Sequence, residues 1–208
     1  MTVQPRDERL PLWLWQAVLA VLGGAAGFLL ILLALSLGGV SDPRPLGELV
    51  LDAAPLQVYR AGGPNERLFF PFDYPIMPPA TLEVTAHLGD SPSETGYGLW
   101  WCASLDAPCT VTAVNGDGYL TVFRAAGAEV EFIREWELFP HVQRQGAANR
   151  LRVDLSEGRA AVYVNDELAV TFGGGTEGVP LTAGLYVESS ARGGAEVVLE
   201  RVRVWSVP

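Results

Sequence analysis

The sequence predicts an all-β domain, an antiparallel β-sandwich, behind a single transmembrane helix. Three observations carry this. The 32 residues between Arg9 and Asp42 contain no charge. From about residue 68 the chain breaks into short runs of alternating apolar and polar residues, separated by Gly, Asn, Asp and Pro. After residue 41 no segment of any length keeps a helical period.

The apolar stretch spans residues 10–40 and is densest at Phe28-Leu29-Leu30-Ile31-Leu32-Leu33. A bilayer core needs about 20 apolar residues in a helix, and longer stretches tilt. Trp13 and Trp15 stand where an interfacial aromatic belt belongs. Arg6 and Arg9 precede the stretch, and Arg44 alone soon follows it among Asp42, Glu48 and Asp52. This charge bias predicts residues 1–9 in the cytoplasm and residues 41–208 outside, in a single-pass protein of the cell membrane. The alternative is a cleaved secretory signal, for which Ala34-Leu35-Ser36 offers a small-residue site. Such signals have apolar regions of only about 7–15 residues, so an uncleaved signal-anchor is favoured. Gly23 and Gly27 provide one small-xxx-small spacing, which can bring two helices close.

All 14 basic residues are Arg, against 24 acidic ones, for a net charge of −10. An acidic chain without Lys has no basic footprint for nucleic acid. The hydrophobic fraction of 49% fits a folded domain rather than a disordered one.

Residues 41–50 read as a Pro- and Gly-containing tether, and residues 51–208 as the exported domain. Strands are predicted over 68–72, 81–88, 98–103, 110–114, 119–124, 130–136, 150–155, 160–164, 167–172, 181–188 and 196–205. In Leu151-Arg152-Val153-Asp154-Leu155 the apolar side chains face one way and the charged ones the other. Turn chemistry is explicit at Asn115-Gly116-Asp117-Gly118, Asn165-Asp166 and Gly173-Gly174-Gly175. About eleven short strands in this length point to a sandwich.

Several segments follow one another in a familiar order: Gly96-Tyr97-Gly98-Leu99, Asn115-Gly116-Asp117-Gly118-Tyr119, Asn149-Arg150-Leu151-Arg152-Val153, Val162-Tyr163-Val164-Asn165-Asp166-Glu167-Leu168, Ala183-Gly184-Leu185 and Val202-Arg203-Val204-Trp205. Over about residues 80–207 the chain resembles the concanavalin A-like jelly-roll domains of bacterial surface proteins. The nearest are laminin-G-like domains and the 3-keto-disaccharide hydrolase family, formerly DUF1080. The resemblance implies an antiparallel jelly-roll sandwich. It leaves function open, because this fold hosts lectins, glycosidases and adhesion modules.

Glycosidases of this fold carry carboxylates spaced along one face of a strand. The nearest run here is 129–137, where strict alternation puts Glu129, Glu131, Glu135 and Glu137 on one face and Val130, Phe132, Arg134 and Trp136 on the other. Its spacing does not match, so no catalytic residue is assigned and a solvated acidic face is the plainer reading. His87 and His141 stand alone, and no metal site is assigned. Laminin-G-like domains often hold Ca²⁺ at a loop, but Asn115 and Asp117 supply two side chains where Ca²⁺ takes 6–8 oxygens, so no cofactor is expected. Cys102 and Cys109 flank a segment containing Ser104-Leu105-Asp106-Ala107-Pro108, read as a hairpin turn, and are predicted to form a disulfide across it.

The aromatic residues mark the candidate ligand-binding site. Trp100 and Trp101 must face opposite ways in one strand, with Tyr97, Leu99 and Trp101 sharing a face. A sandwich of this class has one curved sheet whose concave face is the usual groove. The strands 98–103, 119–124 and 130–136 are placed in its middle, so that Trp101, Tyr119 and Trp136 line one surface with Arg134 as donor. The same face turned inward would make these residues core. The leading functional expectation is non-catalytic recognition of a carbohydrate or surface polymer. The others are an accessory subunit holding a partner protein at the membrane, and a glycoside-acting enzyme.

The uncharged stretch predicts that the full chain stays in the membrane fraction through carbonate and high-salt washes. A soluble mature form beginning near residue 37 would instead identify a cleaved signal.

Overall fold

The computed structural model describes residues 12–37, 44–104, 106–156, 158–173 and 178–207. Residues 1–9, with the flanking Arg6 and Arg9, lie outside the described residues, as do the ends of the 10–40 stretch, Asp42 and the Gly174-Gly175 part of its turn. The chain divides into two units, residues 1–43 and 44–208. The first contains helix α1 (Leu12–Leu37), which is apolar on every face and carries a 20-residue span, Leu14–Leu33, of mean hydropathy 2.3. By length and composition it can cross a membrane.

The second unit is a sandwich of two antiparallel sheets. Its strands are β1 (Glu48–Ala53), β2 (Gln57–Ala61), β3 (Arg67–Pro71), β4 (Ala80–Leu88), β5 (Gly96–Cys102), β6 (Cys109–Asn115), β7 (Tyr119–Ala126), β8 (Glu129–Leu138), β9 (Asn149–Ser156), β10 (Arg159–Val164), β11 (Glu167–Gly173), β12 (Thr182–Glu188) and β13 (Ala195–Ser206). Sheet A runs β1-β13-β4-β9-β10-β11, with β2 also paired to β13. Sheet B runs β3-β12-β5-β6-β7-β8. All eleven expected strands are present. β1 and β2 were not expected, and β1 begins at Glu48, inside the segment read as tether. Both are short edge strands with largely exposed side chains, so their sequence shows little alternation.

The core lies between the sheets. Leu82, Val84, Leu151, Val153, Val162, Val202 and Val204 of sheet A meet Tyr97, Leu99, Trp101, Leu120, Val122, Leu185 and Val187 of sheet B. The outer face of sheet A is a charged ladder. Arg201 grips Asp52 with two hydrogen bonds of 2.7 and 2.6 Å, Arg203 reaches Glu83 at 3.1 Å, and Arg152 lies beside Asp154 and over the Tyr163 ring. Burial pushes the Glu83 carboxyl above its ordinary range, while Arg150 and Arg203 beside it pull the other way.

Asn149 and Asn165, from two of the segments that carry the resemblance, form a clip. Asn149 is fully buried. Its Nδ2 donates to the Tyr97 hydroxyl at 2.8 Å and to the Gln143 carbonyl at 2.9 Å, and its Oδ1 accepts from Gln143 N and from Asn165 Nδ2. Asn165 Oδ1 accepts from Arg150 N, and its Nδ2 also donates to the His141 carbonyl. The clip pins the β8–β9 loop to the β10–β11 hairpin, whose Asn165-Asp166 turn has φ of 52° and 72°, the two positive values of a type I′ turn. Burial pushes the Tyr97 phenol up to about 12. Cys102 and Cys109 are joined by a disulfide with Cα atoms 4.4 Å apart, closing the β5–β6 hairpin. In the chain-entropy view such a loop is stabilised by roughly 2–3 kcal/mol.

Because Asn149→Ala leaves the Gln143 groups and the Tyr97 hydroxyl without their partner, it is expected to cost about 2–4 kcal/mol, read by chemical denaturation. Arg150→Ala loses a part-exposed pair with Asp166 and a long 3.9 Å pair with buried Glu83, which Arg203 still holds, so it should cost less, about 1 kcal/mol.

Candidate functional site

The outer face of sheet B is built by alternation against the core. In β5, Tyr97, Leu99 and Trp101 point into the core, so Gly96, Gly98, Trp100 and Cys102 point outward. Register carries this face across the sheet: Trp100 lies opposite Val111 of β6, Val111 opposite Phe123 of β7, and Phe123 opposite Phe132 of β8. In the other direction Trp100 lies opposite Gly184 and Gly98 opposite Tyr186, both in β12, and Tyr186 lies opposite Phe69 of β3.

This face is concave, because side chains meet across it that a flat sheet would hold apart. Neighbouring strands are about 4.8 Å apart, so β12 and β7 are separated by about 14 Å, and β3 and β7 by about 19 Å. Yet the Phe123 and Tyr186 rings lie 5.7 Å apart, and the Arg67 guanidinium sits 5.8 Å from the Phe123 ring. Trp136, from edge strand β8, reaches over Gly96, three strands away.

The floor is therefore apolar and enclosed. Trp100, Val111, Ala113 and Tyr186 have no exposure and Phe123 almost none; among the described residues Phe69, Val130 and Trp136 pack against them. Phe69 packs edge-on against both Trp100 and Tyr186. The rim is open: Trp136 is half-buried, and Phe132, Tyr119 and Leu138 are 46%, 40% and 54% exposed. The charged groups at the β3–β12 side are Arg67 and Glu188, bonded at 2.8 Å. The Tyr186 hydroxyl lies beside this pair without a well-formed hydrogen bond to either. Burial, reinforced by the Glu188 charge, pushes its phenol far above the ordinary range. A hollow of about 260 Å³ continues the face at the disulfide end, bordered by Phe69, Cys109 and Ala125.

The four residues predicted to share a surface are divided by the structure. Trp101 is in the inter-sheet core, 3% exposed and stacked on Phe172 of β11. Trp136 is on the concave face, and Tyr119 shares that side of its strand with Phe123. Arg134 leaves it: its Nη1 donates to the Ala169 carbonyl of β11 at 2.7 Å, across the open edge of the sandwich. Two register shifts within the β7–β8 pairing part Arg134 from Trp136, and they break the alternation of Glu129, Glu131, Glu135 and Glu137 as well. Glu131 instead pairs with Arg124, and Glu137 with Arg134. Strands β5 and β7 lie inside the sheet, but β8 is its edge.

Trp100, Phe123, Phe69 and Tyr186 were missed. A signal for Trp100 was present: Gly96 and Gly98 share its face, and a strand face with two glycines is a poor core face beside Tyr97, Leu99 and Trp101. Among the described residues no group of three or more His, Cys, Asp or Glu is placed to hold a metal ion. Asn115 Oδ1 accepts the backbone N–H groups of Asp117 and Tyr119, as in a hairpin turn. His87 bonds Glu200 at 2.8 Å, and His141 packs on Phe139.

No family model matches the chain, and no curated protein matches it significantly. Many solved structures do. A carbohydrate-binding module, CBM66 of Bacillus subtilis, aligns at 14% identity over 77% of this chain and 99% of its own, with a TM-score of 0.56. LamA of Zobellia galactanivorans, in complex with laminaritriose and laminaritetraose, aligns at 12% identity over 72% and 77%, with a TM-score of 0.52. A structure from work on endo-acting O-glycanases of human gut microbiota aligns at 11% over 73% and 79%, with a TM-score of 0.53. At these identities the likeness establishes the fold: an antiparallel jelly-roll, concanavalin-like sandwich.

The opposite placement of the two tryptophans has a measurable consequence. Trp101→Ala is expected to cost about 3–5 kcal/mol of stability, the range for emptying a buried Trp site. Phe132→Ala, already half in water, should cost about 1 kcal/mol or less by the same denaturant titration.

Proposed function

We propose that this protein is a membrane-anchored glycan-recognition module. Its anchor is α1, its exported part is the jelly-roll domain, and its binding surface is the concave face of sheet B. One observation carries the reading: a curled sheet face whose apolar floor is sealed by its own aromatics, while Trp136, Phe132 and Tyr119 stand partly in water at its rim. Such rings stack on the apolar faces of sugars, and the Arg67–Glu188 pair offers a donor and an acceptor for hydroxyls. The fold is shared with a carbohydrate-binding module and with a protein bound to laminari-oligosaccharides, which supports the class of ligand.

A non-catalytic role is the better fit. Hydrolysis needs two carboxyl groups about 5–10 Å apart on either side of the bond to be cut. Glu188 is held by Arg67, and the floor beside it is closed by Trp100, Phe123 and Tyr186, with Trp136 packed against them. A polymer can lie on this surface, not sink into it.

The test is binding by the full chain in detergent or nanodiscs to an oligosaccharide array that includes laminaritriose and laminaritetraose. Binding to at least one glycan is expected, weakened tenfold or more by Phe132→Ala or Tyr119→Ala with little change in melting temperature. An array without binding, together with co-purification of a stoichiometric membrane partner, would overturn the reading in favour of an accessory subunit.

A further inference from the structure

Strand β13 changes partners along its length. Its first part, Ala195 to Leu199, pairs with β2, and Val202 to Ser206 pairs with β1. A register shift between Leu199 and Arg201 marks the change. β1 and β2 part at this point, and the seam between them opens onto the core side of the sandwich beside β3. The result is a half-open cavity of about 330 Å³, at the small end of the range for ligand sites. It shares no lining residue with the concave face, being lined by β1, β2, the turn between them, β13, the last residue of β3 and the segment after it.

Its chemistry is divided in a particular way. Leu199 and Val202 form an aliphatic floor, and Tyr59 and Tyr74 supply aromatic walls. Three polar groups converge on it: the Asp73 carboxylate, the Gln57 carboxamide and the Tyr59 hydroxyl, which donates to Gln57 Oε1 at 2.9 Å. Burial and the nearby Asp73 charge both raise the Tyr59 phenol, which keeps it a neutral donor. Among the described residues Asp73, in the segment after β3, has no ion pair or hydrogen-bond partner, whereas Asp52, Glu83, Glu188 and Glu196 on the strands are matched to arginines.

We propose that this cavity binds one neutral sugar ring, such as the end of a glycan chain. An aliphatic floor with aromatic walls takes the C–H face of a ring, and an acceptor, an amide and a phenol at its edge take hydroxyls. An acyl chain would bury these polar groups without partners, which is costly. A lone carboxylate falls short of the ligands a divalent cation takes, and its charge repels an anionic sugar. The inference shares with the preceding section only the class of ligand; the site and the residues are different.

The test uses the full chain in nanodiscs and saturation-transfer NMR with D-glucose, D-galactose, D-mannose, D-fructose and N-acetyl-D-glucosamine, with D-glucuronate as the anionic control. At least one neutral sugar is expected to bind in the millimolar range and to lose tenfold or more in affinity in Asp73→Ala and in Gln57→Ala. Both side chains are exposed, so the melting temperature should hold. Glucuronate should bind at least tenfold more weakly than the neutral sugar, and Asp73→Asn should narrow that gap. The cavity variants are also read in a Phe132→Ala background, which removes the contribution of the concave face, and the same tenfold losses are expected there. The proposal is overturned if none of the five neutral sugars binds, or if binding in the Phe132→Ala background survives both cavity variants. A concave face that fails on the oligosaccharide array leaves this result standing, and the reverse also holds.

Discussion

The curl of sheet B is the constraint on which the rest of this domain depends. It requires two strands to approach closely at Gly98 and Gly184. A Cβ at Gly98 would overlap the Thr112 carbonyl oxygen, and one at Gly184 the Phe70 carbonyl oxygen. Any side chain at either position would push the strands apart. Each glycine is paired with a large aromatic on the neighbouring strand, Tyr186 opposite Gly98 and Trp100 opposite Gly184. The ring covers the backbone that the glycine leaves bare. The same pairing that lets the sheet bend thus supplies the apolar floor of the concave face.

The two outer faces answer the same problem with opposite chemistry. Both are packed closely enough to bury most of their central residues. Sheet A does this with an Arg–carboxylate ladder, in which Thr81, Glu83, Arg152 and Asp154 are all less than 9% exposed. Sheet B does it with aromatic rings, because its curvature brings their tips together. A charged ladder whose partners are matched is a structural surface. A concave aromatic face with half-exposed rings at its rim has apolar area still to cover, which is why the proposed binding surface is placed there.

Edge protection explains what became of the predicted donor. β11 ends sheet A and β8 ends sheet B. Arg134 caps the Ala169 carbonyl and Arg124 caps the Gly173 carbonyl, both on β11. Two arginines from one sheet thus close the open edge of the other, where an exposed strand would invite pairing with a second chain.

Much of the architecture was legible in the sequence, because it follows from short-range rules. The uncharged stretch before Asp42, the eleven strands, the Asn165-Asp166 turn and the bridging of Cys102 to Cys109 each depend on residues close together in the chain. That Trp100 and Trp101 face opposite ways was equally certain, since alternation along a strand is a property of the backbone. Which of them enters the core was decided by the opposing sheet, where Phe172 meets Trp101. The fate of Arg134 was decided by two register shifts against β7, which alternation within β8 cannot reveal. The clip of Asn149 with Asn165 and the seam along β13 also join segments far apart in sequence. Local chemistry determined which elements form and where they turn. Only tertiary pairing decided which face of each is buried, because a shift of one residue sends every side chain after it to the other side of the sheet.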